Sequence, residues 1–233
     1  MRREDIRIPS RDGGEFDCYV VTPDGTEKTA AIVLASAVHG VDEDVRAIAD
    51  VFAEHGYIAA APDLFWRTVP GPLPRGDERS TSRSQPRPEK IKTGEADMAD
   101  TLAYIRTHPR FNGRAASMGF CYGGPYAVLG PGRLGYDAGI SCHGTRMLDY
   151  IGELERTTKP VCILWGDQDN QAPAGVLSAY RALAARNEAV ALHIFPGVQH
   201  GYTMRGSPAF DRKAYDFSME RALAVMKQLS EKR

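Results

Sequence analysis

Ser117-Met118-Gly119-Phe120-Cys121-Tyr122-Gly123-Gly124 carries the pattern that decides the fold. A run of small and apolar residues from Arg114 to Met118 leads into Gly-x-Cys-x-Gly-Gly, and a second apolar stretch, Tyr126 to Leu129, follows. This is the pattern of a nucleophile elbow, in which a strand turns sharply into a helix and holds one strained residue at the tip. Flanking glycines are needed because a Cβ has no room where helix and strand approach so closely. Serine is the usual tip residue; here it is Cys121. A thiol there is expected to face a cleft near the N-terminus of the following helix, whose partial positive charge favours thiolate. Taken alone, Cys121 reads equally well as a buried core cysteine.

Working outward, continuously apolar runs alternate with helical spacings. Ala30 to Ala35, Tyr57 to Ala61, Ala138 to Cys142, Val161 to Trp165 and Val190 to Phe195 read as strands buried on both faces of a mostly parallel sheet. Asp5 to Pro9 and Glu15 to Thr22 read as two strands around the turn Arg11-Asp12-Gly13-Gly14. Val45, Ile48, Ala49 and Phe52 recur at helical spacing, as do Met98, Leu102 and Ile105. Further helices are expected over Val176 to Ala185 and on the face carrying Tyr215, Met219, Ala222, Met226 and Leu229. The class is therefore α/β, with a mostly parallel central sheet and helices on both faces. Residues 64–93 break the alternation with proline, glycine, arginine and serine, and read as a lid-like excursion over the cleft with a short helix near Lys90.

At 233 residues the chain is expected to form a single domain, 1–233. Lys plus Arg number 29 against 30 for Asp plus Glu, a formal charge of -1, so no basic excess points to nucleic acid. No apolar h-region follows Met1-Arg2-Arg3-Glu4-Asp5 and no run is long enough to span a membrane, so a cytoplasmic protein is expected. Cys18, Cys121, Cys142 and Cys162 lack Cys-x-x-Cys spacing, which argues against structural zinc; no metal or cofactor is expected. The expected partner is a small-molecule ester or lactone, and the chain is expected as a monomer or homodimer.

Ligands of open α/β sheets bind at the carboxyl ends of the strands. The strand Val161–Trp165 runs into Gly166-Asp167-Gln168-Asp169, and Val190–Phe195 into Pro196-Gly197-Val198-Gln199-His200-Gly201. An acid and a histidine thus sit at the same end of the sheet as Cys121, in the order nucleophile, acid, histidine. A thiol needs an imidazole to take or hold its proton, and the imidazole needs a carboxylate to fix its tautomer. Asp167 rivals Asp169 as that acid; Asp169 is preferred because the loop must travel some way to reach His200. Each residue alone reads as an ordinary loop residue, but all three in order after buried strands point to a Cys121–His200–Asp169 triad.

These motifs, with Tyr57-Ile58-Ala59-Ala60-Ala61-Pro62-Asp63-Leu64-Phe65, resemble those of the dienelactone hydrolases (carboxymethylenebutenolidases), which have the α/β-hydrolase fold. The resemblance implies Cys121 as nucleophile, His200 as base and acid, and Asp169 as its partner. It implies an oxyanion hole from the backbone N–H groups of Tyr122 and Val38. It also implies a small carboxylated lactone as substrate, opened through a thioester, and two arginines on the carboxylate. Arg67 matches one; Arg205 is the candidate for the other, one residue further from the histidine. Arg67 reads equally as an ion-pair partner of Asp63, and Arg205 as a solvated loop residue. His39, Tyr122 and His143 are expected to line the pocket. The family's best-known members carry a glutamate near the cysteine, and the matching position here is Ala37. A standing thiolate–imidazolium pair, open to alkylation at neutral pH, is the consequence expected. A general short-chain carboxylesterase, or a non-catalytic ligand-binding or thiol-sensing protein with Cys142 as resolving thiol, are the alternative readings.

Overall fold

Ala30 to Ala35 lies at the heart of the molecule because no residue in it needs water. The computed structural model describes residues 1–231 and places strand β3 (Thr29–Ala35), buried at every position, inside one eight-stranded sheet. The other strands are β1 (Arg2–Pro9), β2 (Glu15–Thr22), β4 (Ile58–Pro62), β5 (Phe111–Phe120), β6 (Ala138–Cys142), β7 (Val161–Gly166) and β8 (Val190–Phe195). Their order is β1-β2-β4-β3-β5-β6-β7-β8. The β1–β2 and β2–β4 pairs are antiparallel, and every pair from β4–β3 to β7–β8 is parallel.

Alternation along β3 sends side chains to two cores. Ala30, Ile32 and Leu34 pack with helices α1 (Glu43–Glu54) and α7 (Arg212–Glu231) on one face. Ala31, Val33 and Ala35 pack on the other face, against Met98, Leu102 and Ile105 of helix α3 (Arg87–Arg106) and Tyr126 and Leu129 of the short helix α4 (Tyr126–Leu129); a further short helix, α2 (Arg79–Ser82), precedes α3 in the chain. Each buried Ile or Leu contributes roughly 1.5–3 kcal/mol relative to exposure. Helices α5 (Ile151–Arg156) and α6 (Val176–Arg186) close a third cluster around Ile163, Trp165, Tyr180 and Leu183. The helix α1 begins where Asp42 accepts a hydrogen bond from the Val45 N–H at 3.0 Å, an N-cap followed by Glu43 and Asp44.

Two elements depart from the sequence reading. The irregular stretch ends at Pro86, because helix α3 starts at Arg87 rather than near Lys90 as a short turn, and runs unbroken to Arg106. Proline beside a helix's first positions costs no hydrogen bond, since those N–H groups lack intrahelical partners anyway. The second is a helical turn at Met147–Tyr150 continuing into α5, a stretch too short to show a helical period in the sequence. No described helix is long and apolar enough to cross a membrane.

Candidate active site

Strand β5 delivers Phe120 directly to Cys121, whose φ of 50° is left-handed. A non-glycine residue in that region costs about 1–3 kcal/mol and persists only where its surroundings over-determine it. Here the Cys121 carbonyl accepts from the N–H of Gly124 at 3.0 Å, the N–H of Thr145 at 2.9 Å and the Thr145 hydroxyl at 3.2 Å. At about 0.5–1.5 kcal/mol each, these bonds offset the strain. A Cβ at Gly119 would overlap the Gly123 carbonyl, and one at Gly123 would overlap the Ala35 carbonyl, so both positions require glycine. The helical segments after Cys121 are short, a turn at Cys121–Gly123 and then α4 at Tyr126–Leu129. The expected help from a long helix dipole is correspondingly small, since the effect builds on aligned peptides.

The loop after β7 carries Asp169 and the loop after β8 carries His200. His200 Nδ1 lies 2.8 Å from Asp169 Oδ2, with the two side chains only 9% and 1% exposed. Asp169 Oδ1 accepts from the Gln171 N–H at 2.8 Å, which fixes the carboxylate. Asp167 has a different job: its Oδ1 accepts from the Gly197 N–H at 2.7 Å and ties the two loops together. His200 Nε2 is buried without a hydrogen-bond partner of good geometry among the described residues, on a ring that shares the cleft with Cys121. Burial disfavours the charged imidazole, but the bond to Asp169 and the neighbouring Cys121 sulfur outweigh it and raise His200 to about 9.

The cleft over these residues has a volume of about 550 Å³, and Val38, His39, Arg87, Cys121, His143 and His200 are among its walls. His143 has φ 42°, bonds Thr203 Oγ1 through Nε2 at 2.7 Å, and meets His200 edge-on at a ring separation of 4.9 Å. Burial and the nearby His200 hold its pKa well below the ordinary histidine value, so it is a neutral wall. Ala37 also lines the cleft and carries no carboxylate.

Three expected pocket contacts lie elsewhere. Arg67 donates from Nη1 to Asp97 Oδ2 at 2.7 Å and from Nη2 to Ser10 Oγ at 3.0 Å, away from the cleft and with no bond to Asp63. Asp97 has a fully buried side chain, and a carboxylate so placed demands a cation. Arg205 is exposed, with its guanidinium 5.3 Å from the centre of the Tyr215 ring. The Tyr122 side chain is fully buried against Phe65, with ring centres 4.9 Å apart, and only its backbone is near the elbow surface.

The cations that do reach the cleft are Arg75 and Arg87. Arg75 is paired with Asp44 at 2.6 Å. Arg87 spends Nη2 on the carbonyls of Tyr122 and Thr145, both at 3.1 Å, and its Nε is buried without a partner among the described residues. Its pKa is lowered by burial and supported by the charge at Cys121. Nothing in the sequence singled out Arg87 beyond its place between Pro86 and Pro88. Among the described residues, no group of three or more His, Cys, Asp or Glu side chains is arranged to hold a metal ion.

The same architecture recurs in solved structures. A putative dienelactone hydrolase from Klebsiella pneumoniae superposes with a TM-score of 0.83 at 20% identity, covering 97% of this chain and 98% of that one. The dienelactone hydrolase of Anabaena variabilis gives 0.73 at 15% identity, covering 99% of each. The fold is thus the α/β-hydrolase fold. In sequence, the chain is 28% identical to a putative carboxymethylenebutenolidase of Azospirillum brasilense, over 96% of this chain and 98% of the relative. It is 27% identical to carboxymethylenebutenolidase 1 of Cupriavidus pinatubonensis, over 99% of both. The model of the dienelactone hydrolase family matches residues 16–230, nearly the whole sheet with its elbow and both loops, and by that match the chain belongs to the dienelactone hydrolase family.

Proposed function

We propose that the protein cleaves ester or lactone bonds with Cys121 as nucleophile, His200 as proton carrier and Asp169 as the group that orients it. The observation that carries this reading is the 2.8 Å bond between His200 and a buried Asp169, beside a strained cysteine in the same cleft. His200 holds the thiol proton as imidazolium while the sulfur attacks the substrate carbonyl carbon. Charge then develops on the carbonyl oxygen, and the N–H groups of Val38 and Tyr122 stabilise it. The C–O bond breaks as the imidazolium protonates the leaving oxygen; in a lactone that oxygen stays on the opened acyl chain. His200, now neutral, takes a proton from water, whose oxygen attacks the thioester. Collapse releases the carboxylic acid and restores Cys121.

The favoured substrate is a small carboxylated lactone. With Arg67 and Arg205 turned away, Arg87 is the guanidinium that supports this choice, since Nη1 and Nε are not committed to a carboxylate. A general short-chain carboxylesterase is the second reading, favoured by that same displacement of two arginines. Thiol sensing has less support, because Cys142 is fully buried and burial pushes its thiol far up.

The test is hydrolysis of a dienelactone and of p-nitrophenyl acetate by wild type and by Cys121→Ala. Lactone turnover lost in the variant supports the full reading. Loss of nitrophenyl ester turnover alone, with no lactone activity in wild type, selects the esterase. Turnover that survives the substitution removes Cys121 as nucleophile.

A further inference from the structure

We infer that Arg83 is a positioning residue that holds the oxyanion loop in its working conformation without touching the substrate. This rests on the proposed role of the Val38 and Tyr122 N–H groups. Arg83 is 2% exposed, an unusual place for a guanidinium. Its Nε and Nη2 both donate to the Val38 carbonyl, at 3.0 and 2.8 Å. Its Nη1 donates to the carbonyls of Val69 and Gly71, at 2.8 and 2.6 Å. All of these acceptors are backbone. The guanidinium also lies 4.2 Å from the centre of the Phe65 ring, and Phe65 packs on Tyr122. One side chain therefore holds Val38 directly and backs the Phe65 ring that packs on the Tyr122 side chain.

The grip on Val38 falls at a mechanically sensitive point. Ala37 to Gly40 form a turn closed by the Gly40 N–H on the Ala37 carbonyl at 3.0 Å. Four-residue turns of this kind interconvert by rotating their central peptide, here Val38–His39, between two orientations. Arg83 fills both acceptor directions of the Val38 oxygen, so rotation would strand two donors of a buried cation. The Val38 N–H lies in the preceding peptide, hinged to this carbonyl at the Val38 Cα, so fixing the carbonyl restrains one side of that hinge and steadies the loop that carries the N–H before substrate arrives. Donors placed in advance act on the transition state, where charge develops, and not on substrate binding. A loosened turn should therefore lower kcat and leave KM alone. Arg87 differs, since it lines the cleft and is exposed to the substrate's charge.

The experiment compares Arg83→Lys and Arg83→Met with wild type on an anionic lactone and on p-nitrophenyl acetate, alongside the rate of Cys121 alkylation by iodoacetamide. Alkylation needs the thiol and His200 but no oxyanion hole, and it also reports that the site is folded. The expected result is a fall in kcat of about 10–100-fold on whichever substrate turns over, somewhat less than outright loss of a hole donor. KM and alkylation should stay within about twofold, with Lys retaining more activity than Met because one ammonium can still reach the Val38 oxygen. Should Arg83→Met not fold, the Lys variant decides. Unchanged kcat, a rise in KM at constant kcat, or alkylation falling in step with kcat overturns the inference. If turnover survives Cys121→Ala, the reading of the site falls and this inference with it. If turnover needs Cys121 but not Arg83, only this inference falls.

Discussion

His200 concentrates the chemistry in one ring. Its ordinary value is 6.5, and Asp169 and the Cys121 sulfur raise it to about 9 against the pull of burial. A ring with a raised value stabilises the fold fully below pH 6.5, and that contribution is lost as pH climbs through about 9. A raised value favours the charged ring at neutral pH. Iodoacetamide should alkylate Cys121 readily at pH 7, and His200→Ala should slow the reaction by on the order of tenfold. Asp169→Asn should lower kcat by about 10³-fold or more, through the wrong tautomer and the lost imidazolium support; a pH–rate profile with its upper limb moved toward neutrality would check the cause. That Cys121, Asp169 and His200 would lie at one end of the sheet was legible in the sequence, because each follows a buried strand. Arg83 and Arg87 were not, because they bind backbone carbonyls, and every residue has one. No pattern of side-chain types marks such a bond.

Elements show where local pattern falls short. In α3 the buried stripe includes Gly94, Asp97 and Thr101 beside Ile91, Met98, Leu102 and Ile105, so its first half lacks a clean apolar period. Apolar spacing alone therefore marks this helix only from Met98 onward. Its Asp97 explains Arg67, which is a structural partner in this fold. Arg67→Met should destabilise the protein by about 3 kcal/mol, by leaving a buried carboxylate unpaired, and should leave KM for an anionic substrate unmoved. Thermal melting and steady-state kinetics on the same preparation separate the two effects. At the elbow, by contrast, sequence and structure agree closely, because backbone there meets backbone. Gly123→Ala forces a methyl into the Ala35 carbonyl, where no flexible side chain can yield. A loss of about 3 kcal/mol or more, or failure to accumulate as soluble protein, is expected.

At the scale of the molecule, the alternation of apolar strands and amphipathic helices made the class readable, and it placed the site at one end of the sheet. Strand order was harder to read. The antiparallel β2–β4 pairing, which sets β1 and β2 beside β4 instead of β3, depends on contacts between distant segments and leaves no local mark. The helix α7 buries Tyr215, Met219, Met226 and Leu229 against one face, so deletion from Arg212 onward should remove roughly 6–12 kcal/mol of apolar burial. That approaches or exceeds the net stability of most domains, and far-UV circular dichroism of the truncated chain should show no cooperative melting. The parallel order β5-β6-β7-β8 also gives the site a history. Cys121 leaves the ribosome about 80 residues before His200, which at about 5–20 residues per second is on the order of ten seconds. Throughout that interval the nascent thiol lacks the His200 ring, and until Asp169 follows it lacks that carboxylate as well, so the chemistry proposed for the folded cleft is closed to the newborn chain.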